Sequence, residues 1–235
     1  MNTFLKLSIF IVVDFLLFEF QGFWFGIVGL IIIIWRALNI FGILRSPSIN
    51  RKAFCEGIAF LKDYQGPYSQ NISGFEEAAK ILKNFKLDQD QPGKEKFGLI
   101  GIYYDSPGEV EDSKLRCSIG IYQKSKGFPE KPSNELESYC LENNYYYTEL
   151  PCAGSIYSEW EYPTFFTLGI GIKKFFSKIK KSLRDANFRR SYRLNDNIKC
   201  DVIIELYESD SKVSFYVPYL NSDKFKLYKR HNKYR

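Results

Sequence analysis

The sequence predicts an α+β fold, in which one domain built from two strand-helix-strand-strand repeats follows an apolar transmembrane helix. Three observations predict it. The chain opens with a long run of apolar residues that carries almost no charge. Short apolar stretches of strand composition alternate with two amphipathic helical patterns, and the order strand, helix, strand, strand occurs twice. A chain of 235 residues that gives about forty to an anchor keeps the length of one ordinary domain.

Residues 1–44 are predicted to form a membrane anchor. Leu16–Trp35 has about the twenty mostly apolar residues that one helix needs to cross a bilayer. Gly26 and Gly29 are small enough to allow close contact with another helix. A cleaved signal peptide is the alternative interpretation, but the apolar run is too long for one and no small-residue cleavage site follows it.

The charges next to the apolar segment predict which side of the membrane the domain occupies. Four basic residues follow the segment: Arg36, Arg45, Arg51 and Lys52. Because basic residues favour the cytosolic side, the long carboxyl-terminal part is predicted to lie in the cytosol. The net charge of +6 suits the anionic cytoplasmic leaflet, so the lipid bilayer is the first predicted partner. No module for specific nucleic acid recognition is present.

Composition also limits the chemistry. The five cysteines are odd in number and irregularly spaced, which predicts reduced thiols and excludes a regular disulfide or zinc framework. No metal-ligand spacing and no glycine-rich phosphate loop occur, so no cofactor or metal is expected. The single histidine, His231, lies in a basic tail, and no nucleophile, base and oxyanion donor come together. The chain is therefore not expected to be an enzyme.

The predicted domain covers residues 53–220, between a linker at 45–52 and a basic tail at 221–235. The elements of the first repeat are strand Phe54–Lys62, helix Phe75–Phe85, and strands Phe97–Tyr104 and Leu115–Tyr122. Those of the second are strand Ala153–Trp160, helix Thr164–Asp185, and strands Val202–Tyr207 and Val213–Val217. Lys124–Asn144 is predicted to connect the repeats. Joined edge to edge, the two units predict an antiparallel sheet with both helices on one face and a cleft on the other.

One segment carries a family resemblance. Gly98–Gly120, with its Tyr-Asp-Ser-Pro turn, resembles the second and third strands of the GyrI-like domain family. The resemblance extends over nearly the whole chain and includes membrane-anchored members of that family. It implies a single-pass protein of the endoplasmic reticulum membrane with a cytosolic domain, which acts as a receptor or adaptor in selective autophagy of that organelle. It also implies locations at the nuclear envelope or autophagosome.

The partners implied by the resemblance are ubiquitin-like autophagy modifiers and the valosin-containing segregase ATPase. Such receptors bind the modifier through an aromatic-x-x-aliphatic motif in a disordered acidic tail, which adds a strand to the modifier. Here the predicted tail is basic, and the matches Tyr147–Leu150 and Phe165–Leu168 fall inside the predicted domain. The sequence pattern therefore favours ordinary core or loop segments at both places.

A candidate ligand site is predicted on the strand Val202–Tyr207. Alternation puts Glu205 and Tyr207 on the face opposite to three apolar residues, so an acid stands in the middle of an apolar strand. The resemblance implies that this glutamate faces a central cleft with aromatic walls, for which Tyr104 and Trp160 are the further candidates. A carboxylate beside aromatic rings suits a hydrophobic organic cation. The alternative function is thus a membrane-tethered small-molecule binding module, or a weak hydrolase that uses Glu205. A solvated position for Glu205 is the structural alternative.

Lysines cluster on the predicted helix Thr164–Asp185, and four of them are predicted to face the membrane: Lys173, Lys174, Lys178 and Lys181. Most such runs are simply solvated. In a tethered domain, however, this face could rest on anionic lipid.

Overall fold

An antiparallel sheet of eight strands forms the centre of the computed structural model. The structure describes residues 8–16, 23–87, 97–125, 132–162, 164–192, 194, 202–209 and 211–228. The strands are β1 (Asn50–Phe54), β2 (Gly57–Gln65), β3 (Phe97–Tyr103), β4 (Arg116–Lys124), β5 (Tyr146–Leu150), β6 (Ala153–Glu161), β7 (Ile203–Ser209) and β8 (Lys212–Pro218). Their order across the sheet is β1-β6-β8-β7-β3-β4-β2-β5, and every neighbouring pair is antiparallel. The chain therefore has the predicted α+β architecture.

Helices connect and cover the strands. Residues 8–16 are helical (α1), and the later helices are α2 (Phe23–Ile40), α3 (Ile72–Asn84), α4 (Asn134–Glu142), α5 (Phe165–Arg184) and α6 (Ala186–Ser191). The two predicted repeats are confirmed as β2-α3-β3-β4 and β6-α5-β7-β8. The boundaries of α5 follow from its caps, because the Thr164 side chain accepts a hydrogen bond from the Thr167 amide and Asp185 ends the helix.

The elements β1, α4, β5 and the short helix α6 were not predicted. β1 overlaps the end of the predicted linker at 45–52, in residues 50–52, and α4 falls within the predicted connection Lys124–Asn144. Both β1 and β5 are edge strands, so one side of each has no strand neighbour. Edge strands need no apolar alternation, and the polar start of β1 (Asn50-Arg51-Lys52) therefore gave no strand signal.

Both long helices of the repeats cover the same face of the sheet, as predicted. Ala78 and Ile81 of α3 pack in one cluster with Phe60 of β2, and Phe175 and Ile179 of α5 pack in another cluster beside β8. Residues paired directly across strands share a face. The pairs that link the two clusters on this face are Phe60–Ile121, Ile121–Leu99 and Leu99–Tyr207.

The opposite face is a packed core, so the predicted cleft there is wrong. The sheet curls around this face, because the ring of Phe54 in β1 lies 5.4 Å from that of Tyr122 in β4 although four strands separate them in the sheet order. Phe225 and Leu227 are buried in the same core. The predicted tail at 221–235 therefore contributes its first part to the fold, where apolar side chains at 225 and 227 close the concave face.

The amino-terminal segment differs from the single helix that was predicted. A side chain at Gly29 of α2 would overlap the Asp14 carboxylate of α1, and the Arg36 guanidinium of α2 lies 4.9 Å from the ring of Phe10 in α1. A continuous helix would separate positions 14 and 29 by about 22 Å. The two helices therefore lie side by side and antiparallel, and the predicted close contact at Gly29 is made with Asp14. Within the described ranges, no helix is both long and apolar enough to cross a membrane.

Candidate functional site

Glu205 lies near the centre of the sheet, in strand β7 between β3 and β8. Its direct neighbours across the strands are Gly101 of β3 and Phe215 of β8. The side chain is only 1% exposed. Since Phe215 packs with the residues under α5, Glu205 points to the helix-covered face and lies between the regions covered by α3 and α5. A solvated position for Glu205 is therefore wrong.

Two tyrosine hydroxyls hold the Glu205 carboxyl group. Tyr103 Oη donates to Glu205 Oε2 at 3.0 Å, and Tyr207 Oη donates to the same oxygen at 2.8 Å. Tyr103 stands two residues after Gly101 in β3, and Tyr207 stands two residues after Glu205 in β7, so alternation brings both to one face. Both donors favour the ionised form of the acid.

Burial nevertheless dominates the acidity of Glu205. Desolvation raises the pKa of this carboxyl from 4.5 to about 7, although the hydrogen bonds from Tyr207 and Tyr103 act to lower it. Close to neutral pH, the group is therefore poised between a neutral acid and a carboxylate. A small change in its surroundings, such as a nearby positive charge, would ionise it.

Three aromatic rings cover the two tyrosines. The ring of Phe75 in α3 lies 5.2 Å from the ring of Tyr207, and the ring of Tyr162 lies 6.3 Å from the same ring. The ring of Tyr68 lies 4.8 Å from Tyr103. We call Phe75, Tyr68 and Tyr162 the aromatic roof. It comes from segments outside the sheet, so it can move without breaking a strand pair.

Gly101 provides the space in which the roof approaches the acid. A Cβ added to Gly101 would lie 2.9 Å from Phe75 Cζ and 3.1 Å from Tyr103 Cε2. Only a residue without a side chain fits opposite Glu205 while both rings keep their positions.

The structure brings together only part of the predicted set. Glu205 and Tyr207 share a face, as alternation predicted, and a hydrogen bond joins them. Tyr104 lies on the concave face, where its hydroxyl is 2.8 Å from Ser118 Oγ, and it cannot line the Glu205 site. Trp160 shares the face of Glu205 but lies under α5, where its Nε1 donates to the Thr167 carbonyl oxygen at 3.0 Å. Its ring packs against the α5 backbone at Gly171, so Trp160 is a core residue of that helix.

Sequence reasoning missed Tyr103 and the aromatic roof. Tyr103 and Tyr104 are adjacent, and neighbouring residues of a strand point to opposite faces of the sheet. The prediction chose Tyr104 and therefore placed the aromatic wall on the face opposite to Glu205. Counting two residues forward from Gly101, the glycine that pairs with Glu205, would have selected Tyr103, but the pairing itself could not be read from the sequence.

Two of the four predicted membrane-facing lysines hold the segment that follows α2. Lys174 Nζ donates to the carbonyl oxygens of Gly42, Ile43 and Arg45 at 2.9, 2.5 and 2.6 Å. Lys178 Nζ donates to the Pro47 carbonyl oxygen at 2.5 Å. These two side chains are therefore bound to the chain itself, which corrects the prediction for them.

The remaining two predicted lysines, Lys173 and Lys181, are exposed on α5. A contact of these two with lipid stays a prediction.

Replacing Lys174 should loosen the segment after α2. Lys174→Met removes the charged ammonium group that donates to three carbonyl oxygens. A hydrogen bond that involves a charged group contributes about 1.5–3 kcal/mol to stability. We expect amide hydrogen exchange across residues 41–49 to become at least about tenfold faster. Lys173→Met, which changes the exposed neighbour on the same helix, is the matched control and should leave exchange unchanged. Equal exchange in both variants would contradict the role assigned to Lys174.

An open cavity lies at the end of the sheet formed by β2 and β5. It has a volume of about 380 Å³, and its charged lining residues are Glu56, Glu149 and Lys224. All three are exposed. It therefore offers no desolvated charge comparable to Glu205.

Metal ligands are not grouped in the described part of the chain, where no cluster of three or more histidine, cysteine, aspartate or glutamate side chains could hold an ion. The four cysteines for which the structure gives positions, Cys55, Cys117, Cys140 and Cys152, are free thiols. Cys200 and His231 lie outside the described residues.

The chain matches no protein-family model and no curated protein. Among solved structures, it overlaps with the C-terminal domain of EcmrR at 14% identity and a TM-score of 0.41, over 73% of this chain and 96% of that one. It overlaps with SAV2435 bound to tetraphenylphosphonium at 12% identity and a TM-score of 0.44, over 75% and 96%. It overlaps with a hydrolase from Listeria innocua at 12% identity and a TM-score of 0.41, over 74% of this chain and 92% of that one. Identities and TM-scores this low do not transfer the ligand or the activity of these proteins to this chain.

Proposed function

We propose that the domain binds a hydrophobic organic cation at Glu205. The observation that carries the proposal is a fully buried carboxyl group, held by two tyrosine hydroxyls whose rings are in turn contacted by three further aromatic rings. A purely structural site at the centre of a sheet would gain stability from an apolar residue instead, because burying an acid without a positive partner costs free energy. A bound cation supplies that partner.

The surroundings of Glu205 suit a cation with apolar groups. Aromatic ring faces attract positive charge, and this attraction is strongest where water is excluded. The carboxylate adds charge pairing in the same enclosed space, while rings such as Phe75 and Tyr162 match the apolar body of the ligand. A small, strongly hydrated cation would lose its water shell without gaining comparable apolar contact.

Ligand entry requires the aromatic roof to open. With Glu205 only 1% exposed, a ligand reaches the acid when Phe75, Tyr68 or Tyr162 turns aside. Tyr68 is held at its hydroxyl, which donates to the Asp105 carbonyl oxygen at 2.9 Å. Phe75 has no polar group in its ring that could be held in this way, so it is the ring that we propose to move.

The test compares two ligands of the same shape and opposite charge, tetraphenylphosphonium and tetraphenylborate, on the full chain in a mild non-ionic detergent. We expect the cation to bind and the anion not to bind. Glu205→Gln should weaken binding of the cation at least about tenfold, since it removes the charge at nearly constant shape. The matched control is Glu149→Gln, at an exposed acid of β5. Equal binding of both ions, or an unchanged affinity in Glu205→Gln, would contradict the proposal.

We also propose that the chain is a GyrI-like protein of the membrane-anchored kind that includes testis-expressed protein 264. The segment that carries the resemblance folds as one unit, because Asp105 of its turn accepts hydrogen bonds from Arg116 Nε and Nη2 at 2.8 and 2.7 Å. Attachment to the endoplasmic reticulum membrane with the domain in the cytosol belongs to this proposal. Many apolar side chains of α1 and α2 are exposed, which supports it.

The role in selective autophagy stays a prediction from resemblance. Neither aromatic-x-x-aliphatic segment is free to add a strand to a modifier through its own side chains. Tyr147–Leu150 lies in β5 with Leu150 buried, and Leu168 of the second segment is buried in α5. Contacts with ubiquitin-like modifiers, or with the segregase ATPase, have no support in the described residues. Hydrolysis at Glu205 likewise stays an alternative prediction.

A further inference from the structure

The pair formed by α1 and α2 has an acid at its helix contact and many apolar side chains outside. At the contact between the helices, Asp14 of α1 lies against Gly29 of α2, and Asp14 Oδ1 is buried without a hydrogen-bond partner among the described residues. Helix pairs in water bury apolar side chains at their contact and expose polar ones. This pair instead places the acid Asp14 at its contact and exposes apolar side chains, as helices embedded in lipid do when an acid turns away from the hydrocarbon.

Apolar exposure is not limited to one stripe of the pair. On α1, the consecutive residues Ile9 to Val13 are each between 36% and 58% exposed. On α2, Leu30, Ile31 and Ile32 are 52%, 60% and 45% exposed. Consecutive helical residues point about 100° apart, so these side chains cover several sides of each helix. A protein partner would cover one face, whereas lipid surrounds a helix on every side that another helix leaves open.

The direction of the helices determines the topology. Phe10 lies beside Arg36 and Asp14 beside Gly29, so α1 begins at the end of the pair from which α2 leads to the domain, and α2 runs back to that end. The stretch Phe23–Trp35 is about 20 Å long, which exceeds one hydrocarbon leaflet of about 15 Å and is shorter than the full core of about 30 Å. Arg36 and Arg45 are exposed at the domain end, where they suit anionic headgroups.

We propose that α1 and α2 insert into the cytosolic leaflet as a hairpin, so that the segment before α1 lies on the same side of the membrane as the domain. The occupant of the exposed apolar surface is the lipid of that leaflet. The inference rests on the proposed membrane attachment and replaces its single-pass topology. The two can fail separately, because a chain that crosses the bilayer once would be membrane-bound with its ends on opposite sides.

The first test measures sidedness in the full chain, made in the presence of sealed microsomes, with one epitope tag before residue 1 and another after residue 235. In a hairpin, added protease digests both tags while the chain resists extraction by alkaline carbonate. Protection of the first tag alone would overturn the hairpin but keep the membrane attachment. Release of the chain by carbonate, including release as a lipid-free oligomer, would overturn both.

The second test measures helix pairing directly in the same membranes. A short bifunctional thiol cross-linker should join the two cysteines of the double variant Phe10→Cys/Arg36→Cys, which replace a ring and a guanidinium 4.9 Å apart, and mass spectrometry of the linked peptides detects the link. In one continuous helix these positions would be about 39 Å apart and could not join. Adding Gly29→Leu should abolish the link, because a side chain there overlaps Asp14. Adding Val28→Leu, which enlarges a neighbouring exposed side chain, should retain it. A missing link in the double variant, or a link that survives Gly29→Leu, contradicts the hairpin.

Discussion

The free energy of unfolding should fall by about 3 kcal/mol from about pH 4 to about pH 8 because of Glu205 alone. Desolvation raises the pKa of the folded carboxyl to about 7, against 4.5 for an ordinary glutamate. Between these values, the unfolded chain has lost the proton that the folded chain still holds. The folded state therefore binds more protons, and its stability declines as the pH rises through this window and levels off above it.

Glu205→Gln isolates this effect from all other titrating groups. Glutamine keeps the shape and removes the charge, so the difference in unfolding free energy between parent and variant should shift by about 3 kcal/mol across the same window, with the variant gaining relative to the parent at high pH. Urea titrations at a series of pH values, in one detergent, provide the measurement. A difference that stays constant with pH would mean that the acid is solvated in the folded chain.

The same titration predicts how ligand affinity depends on pH. A cation binds the carboxylate, so binding releases a proton wherever Glu205 is protonated in the free domain. Affinity for tetraphenylphosphonium should rise with pH up to about 7 and level off above it, by about tenfold per unit on the steep part. Stability and affinity therefore change in opposite directions with pH, because the charge that weakens the empty site strengthens the occupied one.

Periodicity in the sequence was sufficient to predict the repeats. The spacing of Leu168, Phe175 and Ile179 gave α5, and alternation in β7 separated Glu205 from its apolar neighbours Ile204 and Leu206. These signals are local, since each depends only on how one element buries one face. The edge strands β1 and β5 lack such a face and gave no comparable signal.

Features that depend on contacts between distant segments could not be predicted in this way. The curl of the sheet brings Phe54 of β1 into contact with Tyr122 of β4. No local sequence pattern indicates that these two strands, which are far apart in the sheet order, approach each other. The antiparallel arrangement of α1 and α2 could not be predicted either, because an apolar run of this length is compatible with one helix or with two. For the same reason the concave face was expected to be a cleft, although Phe225 fills it from a segment that looked like a tail.

Phe54→Ala should destabilise the domain by about 3–5 kcal/mol, since it empties the centre of the concave core. The ring is fully buried and lies 5.4 Å from each of the rings of Tyr122, Tyr216 and Phe225. Those three come from β4, β8 and the carboxyl-terminal segment, so a single side chain joins parts of the chain that no strand pair connects. Urea unfolding measures the loss, and Leu141→Ala on the exposed side of α4 is the control, with a change within about 0.5 kcal/mol.

The same variant distinguishes the two faces of the sheet as ligand sites. Phe54 lies on the face opposite to Glu205, so at temperatures where Phe54→Ala remains folded its affinity for tetraphenylphosphonium should equal that of the parent. A loss of affinity together with a small loss of stability would mean that the concave face is an open cleft that takes the ligand. A large loss of stability with unchanged affinity is expected, because the concave face holds the fold together while the helix-covered face carries the acid.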